Sequence, residues 1–260
     1  MIGSILGDIA GSQYEFSRMR PKDLDWEHCD IFTDKCRFTD DTVTTIATAA
    51  AIKENKEKPN FAKWYRQLCL NHRNVGYGEM FRDWLDNPAK GPYGSFGNGS
   101  AMRVSPVADL YDNIEDVINH AKESALVTHN HPQGIKGAVV IAVCTFMAKE
   151  GKSKEDIYKY ATKFYGDYEA YKYPVTKSLK DIRDIYKWDV TCQGSVPVAI
   201  RCWYEANSYE EFIRNVMSLP CDMDTLAAIG GSLAEYSYGI DFDKEKLLKD
   251  YLSQDLLDLI

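Results

Sequence analysis

Apolar residues recur with helical spacing along nearly the whole chain. Ile2, Ile5, Leu6 and Ile9 stand at i, i+3, i+4 and i+7. Phe61, Trp64, Tyr65 and Leu68 repeat the pattern, as do Ile135, Ala138, Val139, Ala142, Val143 and Phe146. The same periodicity predicts helices over 41–54, 77–86, 115–127, 154–165, 175–187, 196–206, 209–218, 225–236 and 244–257. The period-two alternation of a half-buried strand is hard to find. The expectation is an all-α fold. The breaks are short, at Lys58-Pro59-Asn60, Asn87-Pro88, Lys90–Gly99, Gly151-Lys152 and Gly166-Asp167. No Ser/Gly/Pro linker, internal repeat or low-complexity run divides the chain, so a single domain over 1–260 is expected.

Composition narrows the function classes. The chain has 260 residues, enough to bury a large core, and is 45% hydrophobic with 27% charged residues, as soluble globular proteins are. Thirty-nine acidic against thirty-one basic residues leave a net charge of −8. That argues against general nucleic-acid binding, which needs a basic face to displace counterions. The most apolar stretch, Ala138–Ala148, covers eleven residues, short of the roughly 20 that span a membrane. The opening MIGSILGDIAG has no basic segment, which predicts no secretory leader and a cytoplasmic protein. Seven cysteines, none in a C-x-x-C pair, fit buried thiols in a reducing compartment rather than disulfides or structural zinc.

Two acidic clusters stand out. Thr39-Asp40-Asp41-Thr42 runs into Val43–Ala51, and Asp222-Met223-Asp224-Thr225 runs into Leu226–Gly231. Each sets two carboxylates and a hydroxyl before a helix rich in small apolar residues. One account is capping, because Asp and Thr are preferred at helix starts and acids suit the helix dipole. A cap needs one acceptor, however, and each cluster offers three. Asp222 and Asp224 are separated by about 200° on a regular helix, so they can converge only from the irregular turn before it. Inward-facing acids of this kind ask for a cation. An all-oxygen donor set without His or Cys selects a hard ion, Mg²⁺ first, then Mn²⁺ or Ca²⁺, with donors enough for a pair.

The run Gly94-Ser95-Phe96-Gly97-Asn98-Gly99-Ser100-Ala101-Met102-Arg103 follows no predicted strand and lacks the Gly-Lys-Ser/Thr of a phosphate loop. It reads either as a flexible connection or as backbone able to approach an anion at a helix start. In Thr128-His129-Asn130-His131-Pro132 the histidines are two apart, not the four of a helical zinc pair. His129 as ligand donor or as cap and core contact both stay open.

Taken together, Gly7-Asp8-Ile9-Ala10-Gly11 with Glu15-Phe16, Phe38–Thr42, Gly97–Arg103, Thr128-His129 and Asp222-x-Asp224-Thr225 resemble, in order, the motifs of the ADP-ribosylglycohydrolase family. They span residues 3 to about 240. The resemblance implies an orthogonal helical domain with a binuclear Mg²⁺ (or Mn²⁺) centre in a central cleft. It implies that Thr39, Asp40 and Asp41 hold one ion, Asp222 and Thr225 the other, and Asp224 both. Glu15 matches a family glutamate beside the metals, with Asp40, Asp41 and Asp224 completing the catalytic set. Gly94, Ser95, Phe96, Gly97, Asn98 and Gly99, with His129, match the residues that bind the substrate. Asp8 is expected to orient the ligands, and Arg103 either assists or is structural. Cys221 and Met223 depart from the glycine and threonine common at those places, while every carboxylate is retained.

The implied activity is metal-dependent hydrolysis of the glycosidic bond between ADP-ribose and an acceptor. The partner is an ADP-ribosylated protein or a small ADP-ribosyl conjugate, and the protein is expected to be a monomer. A binding-only relative and a phosphohydrolase of ADP-ribose are the alternatives. The segment 15–34 mixes acids with Arg18 and Arg20, so it does not choose among leaving groups.

Overall fold

The computed structural model describes residues 1–15, 24–167 and 169–260. Phe16, Arg18 and Arg20, named above, lie outside the described residues. In chain order the helices are α1 Ile2–Ser12, α2 Asp40–Glu54, α3 Phe61–Asn71, α4 Glu79–Asp86, α5 Gly99–Met102, α6 Ser105–Leu110, α7 Ile114–Leu126 and α8 Pro132–Lys149. They continue with α9 Lys154–Tyr165, α10 Leu179–Ile185, α11 Cys192–Tyr204, α12 Tyr209–Met217, α13 Met223–Tyr238, α14 Lys244–Tyr251 and α15 Gln254–Leu257. Among the described residues the only β-type pairing is one isolated bridge between Gly97 and Thr191. The all-α expectation holds.

Three helices form the inside. α2 is buried from Asp41 to Ile52, α13 from Met223 to Ala234, and α8 on most of its circumference. A helix that is apolar or small on every side must be surrounded, whereas a one-sided stripe lies on the surface. α8 accordingly packs against α5, α6, α7, α9, α11 and α13. The buried apolar side chains make one continuous cluster from Ile5 to Leu256.

The closest helix pair is α1 with α13, and glycine makes it possible. A Cβ built on Gly3 would land on the carbonyl oxygen of Gly231, one on Gly7 on that of Ala227, and one on Gly11 on the backbone of Asp224. Ascending numbers in α1 meet descending numbers in α13, so the helices are antiparallel. The end of α1 therefore touches the start of α13.

Several element boundaries differ from expectation. The 175–187 helix shrinks to Leu179–Ile185 because Ser178 caps it, its hydroxyl accepting from the Asp181 N–H at 3.2 Å. The 244–257 helix breaks into two, with Leu252 buried in an extended conformation between them. α11 begins at Cys192 because the Thr191 hydroxyl accepts from the Gly194 N–H at 3.1 Å. The helices α5 and α6 are too short to show a period.

The glycine contact yields a test. On an open helix Gly→Ala stabilises by about 1 kcal/mol. At Gly7 the added methyl must push two backbones apart, which costs about 1–3 kcal/mol. Gly7→Ala is expected to lower Tm, while Gly78→Ala, with nothing within 4 Å of its Cβ position, leaves Tm nearly unchanged. Equal melting curves for the two would refute the close packing.

Candidate metal and substrate cleft

The start of α2 shows how its acids are freed for other work. Thr39 is the N-cap, and its hydroxyl accepts from the Asp41 N–H at 3.3 Å. Asp8, two-thirds of the way along α1, supplies a second cap from a distance. Its Oδ2 accepts from the N–H groups of Thr39 at 2.9 Å and Thr42 at 3.0 Å. Its Oδ1 accepts from the Thr39 hydroxyl at 2.6 Å. The capping demand is thus met by Thr39 and Asp8, leaving the carboxylates of Asp40 and Asp41 to other uses. At α13 the N-cap residue Asp222 makes no side-chain capping bond; its Oδ2 instead accepts from Asn98 Nδ2 at 3.2 Å. Capping does not account for the carboxylates of either cluster.

The two helix starts meet. Carboxylate oxygens of Asp8, Asp41 and Asp224, one from each, lie within 4.8 Å of one another, and all three residues are buried. The Thr225 hydroxyl lies 3.3 Å from Asp41 Oδ2 and can donate to it. Oδ1 of Asp41 and Oδ1 of Asp224 are buried with no hydrogen-bond partner. Among the described residues no cationic side chain pairs with Asp8, Asp40, Asp41, Asp222 or Asp224. Glu15 alone is paired, accepting from Arg37 Nη2 at 2.6 Å. Gly76 (φ +111°) packs against this edge, and a Cβ there would lie 2.9 Å from Asp40 Oδ1 and 3.0 Å from Glu15 Oε1. The positive φ and the crowding both require glycine.

Burial, reinforced by mutual repulsion, raises Asp40, Asp41 and Asp224 well above the ordinary carboxylate range. Burial also raises Asp8 and Asp222, against hydrogen bonds that oppose it. Glu15 is pushed up to about 7 by burial, with Arg37 opposing and Asp8 and Asp222 adding. Unpaired carboxylates at this density require either protons or a cation. The donor set is wholly oxygen, so a hard divalent ion fits it.

Above the acids lies a cleft of about 500 Å³. Glu15, Asp40, Asp41, Asp222, Asp224 and Thr225 line it together with Gly94–Gly99 and His129. Thr39 is fully buried behind that wall, its hydroxyl turned to Asp8.

The glycine segment is not a slack connection. The Gly94 N–H donates to Asn130 Oδ1 at 2.6 Å, that of Gly97 to Ser95 Oγ at 3.1 Å, and that of Asn98 to the Val190 carbonyl at 2.8 Å. The Cys192 N–H in turn donates to the Phe96 carbonyl at 2.9 Å. Three N–H groups that an anion might have used are therefore spent inside the protein. The helix that follows, α5, has four residues and little dipole to offer. Gly97 and Gly99 instead make room for the His129 ring, whose Nε2 is 3.7 and 3.3 Å from their Cβ positions. His131 is a cap, its Nδ1 accepting from the Gln133 N–H at 3.1 Å.

Sequence reasoning missed several lining residues. Met80, Trp188 and Val190 join Phe96 as large apolar side chains left 44–53% exposed at the cleft, with Tyr93 and Thr191 beside them. For Trp188 and Val190 the usable signal was large apolar residues in an irregular segment, where no helical face needs them, whereas Met80 lies on the exposed side of α4. Asp8 also does more than expected, since it stands in the acidic cluster itself. Cys221 and Met223 are both buried and leave the neighbouring acids in place.

A sequence model of the family described as ADP-ribosylglycohydrolase matches residues 1–257. The chain belongs to this family. ADP-ribosylhydrolase ARH3 of Mus musculus is 25% identical over 93% of this chain and 83% of its own length. The Homo sapiens protein of that name is 24% identical over 93% and 85%. A solved chain described as an ADP-ribosylglycohydrolase-related protein complex superposes with a TM-score of 0.71 at 22% identity, covering 99% of this chain and 94% of that one. It shares the all-α fold. Family membership places the chain among hydrolases of ADP-ribosyl substrates. Among the described residues no helix is long and apolar enough to cross a membrane.

The charge imbalance has a measurable consequence in chelator-treated protein. An acid whose folded pKa is raised keeps a proton that the unfolded chain releases, so its contribution is full below the unfolded value, roughly 4, and is lost as pH rises through the folded value. His129, held well below its ordinary 6.5 by burial and by Arg103, acts in the opposite sense, but only below that pH. From pH 6.5 toward about 8, Tm should therefore fall. Asp224→Asn should flatten that fall and raise Tm at the alkaline end, as read by thermal melts. A flat wild-type profile would mean the acids carry no unbalanced charge.

Proposed function

We propose that this protein is a divalent-metal-dependent hydrolase cutting the glycosidic bond between ADP-ribose and an acceptor, a protein side chain such as arginine or another ADP-ribosyl conjugate. The observation that carries the reading is the pair of orphaned buried oxygens, Asp41 Oδ1 and Asp224 Oδ1, at the floor of a cleft walled by Phe96, Asn98 and His129. Buried charge is costly unless it is paired or coordinates a metal. Thr39, Asp40 and Asp41 would hold one Mg²⁺ (or Mn²⁺), Asp222 and Thr225 a second, and Asp224 both. The proximity of Asp8 supports it as a further oxygen donor, or as the strut that aims the set. When bound, such ions orient hydroxyl ligands and lower the pKa of coordinated water.

The remaining work falls to the chain's own groups. Cleavage at the anomeric carbon passes through an oxocarbenium-like state with positive charge on the ring, so acids beneath the sugar favour it. Water oxygen bonds to that carbon while the acceptor leaves with the bonding pair. Glu15, at about 7, is suited to take the water's proton near neutral pH. Arg37 holds Glu15 at the rim. Asn98 bridges the sugar-binding floor and the glycine segment, donating to Asp222. Phe96 and the exposed apolar residues beside it offer a face for a base.

Arginine-linked, serine-linked and nucleotide-linked ADP-ribose, incubated with Mg²⁺, should yield free ADP-ribose from at least one member. EDTA, Asp40→Ala and Asp224→Ala should each cut the rate on the order of 1,000-fold, the scale of several kcal/mol of lost charge stabilisation. AMP as product would identify phosphohydrolysis instead. Full activity in EDTA would remove the metal from the reaction.

A further inference from the structure

His129 has two distinct edges. Its Nε2 edge faces Gly97 and Gly99 of the cleft wall. Its Nδ1 edge faces the protein, 2.7 Å from Thr128 Oγ1. The same Oγ1 accepts from Arg103 Nη2 at 2.8 Å. Arg103 is 1% exposed. Its Nη2 also donates to the Ser124 carbonyl at 3.0 Å, and its guanidinium stacks 4.3 Å from the Tyr65 ring centre.

The donor and acceptor roles follow from chemistry. A guanidinium only donates, so at the Arg103–Thr128 contact the hydroxyl oxygen must accept. The hydroxyl keeps one hydrogen to give, and His129 Nδ1 lies within 2.7 Å to receive it. A neutral imidazole carries one N–H. If Nδ1 accepts, that hydrogen sits on Nε2.

We infer that Arg103 and Thr128 are positioning residues that fix the tautomer of His129, so that Nε2 presents an N–H donor to an anionic ligand beside the glycine segment. The ligand rests on the ADP-ribose reading above; the order of the hydrogen bonds does not. Burial and the nearby Arg103 charge keep the ring neutral, so the donor is an oriented dipole, not a charge. This supplies a donor where Gly94, Gly97 and Asn98 have spent theirs. It also gives a buried arginine a function beyond packing. Tyr93, whose backbone N–H donates to the Thr128 carbonyl at 3.3 Å, brings its phenol in as the competing acceptor for the hydroxyl hydrogen.

Imidazole ¹⁵N NMR of histidine-labelled protein reads the tautomer directly, with the His129 signals assigned from His129→Gln. Wild type, Thr128→Ser and Tyr93→Phe should all show the Nε2–H form at neutral pH. Thr128→Val should lose it, and calorimetry should show the ADP-ribose Kd raised about tenfold or more, the loss of one hydrogen bond to a charged group. An Nδ1–H wild type would overturn the inference, and so would a Tyr93→Phe protein that switches form. Those two spectra decide even if Thr128→Val fails to fold. A folded Thr128→Val that binds weakly yet keeps the Nε2–H signature would reduce Thr128 to packing and also overturn it. Wild-type protein with the Nε2–H form but no ADP-ribose binding would instead contradict the substrate reading.

Discussion

Backbone-to-backbone contact between α1 and α13 is the constraint on which the site depends. Gly3, Gly7 and Gly11 lie four residues apart, one stripe of a helix, and each abuts backbone of α13. No larger residue permits that approach. The antiparallel seam puts Gly11 against Asp224 and brings Asp8, one turn earlier, beside it. Asp8 then reaches the start of α2 through three hydrogen bonds. A glycine seam and one aspartate thus bring together two helix starts that are nearly two hundred residues apart in the chain.

Function and stability oppose one another at that junction. Neutral hydroxyls left without partners, such as those of Ser105 and Thr145, cost about 1–3 kcal/mol each. An unpaired buried carboxylate costs several times more if it is charged. The fold nevertheless concentrates there four buried aspartates, Asp8, Asp41, Asp222 and Asp224, with Asp40 half-buried beside them and two of the buried oxygens without any partner. It compensates with a continuous core around α2, α8 and α13 and with capping duties moved to Thr39 and Asp8. Sites that violate the pairing rule while the rest of the fold obeys it are where chemistry is to be sought.

Much of this was legible in the sequence. Small residues on every side of the helices after Thr39 and Asp222 announced central helices, and three acceptors where a cap needs one announced surplus acid. The role of Asp8 was only half legible, because its partners Thr39 and Thr42 lie more than thirty residues away and one-dimensional spacing carries no such information. The glycine segment was legible only in part. Glycines suggested free N–H groups, but the bonds to Asn130 and Val190 that consume the Gly94 and Asn98 N–H groups depend on tertiary contact. Trp188 and Val190 were missed because the helical period was extended to 187, and the chain beyond it had no periodic signal.

The two walls of the cleft divide the labour by how their polar groups are satisfied. On the floor, Asp41 and Asp224 each keep an oxygen without any protein partner, so their complement must come from outside the chain. On the facing wall, His129 is tied through Thr128 to a buried arginine, so its inner edge is fully used and only the outer edge can serve a ligand. One wall is incomplete and the other is pre-set. Helices hold the incomplete wall, where several oxygens must share a point to within tenths of an ångström. Irregular segments hold the pre-set wall, pinned to Val190 and Cys192 by backbone bonds, where shape and exposed apolar surface matter more than exact register. That division lets the chain vary the surfaces that select a substrate without disturbing the acids that would act on it.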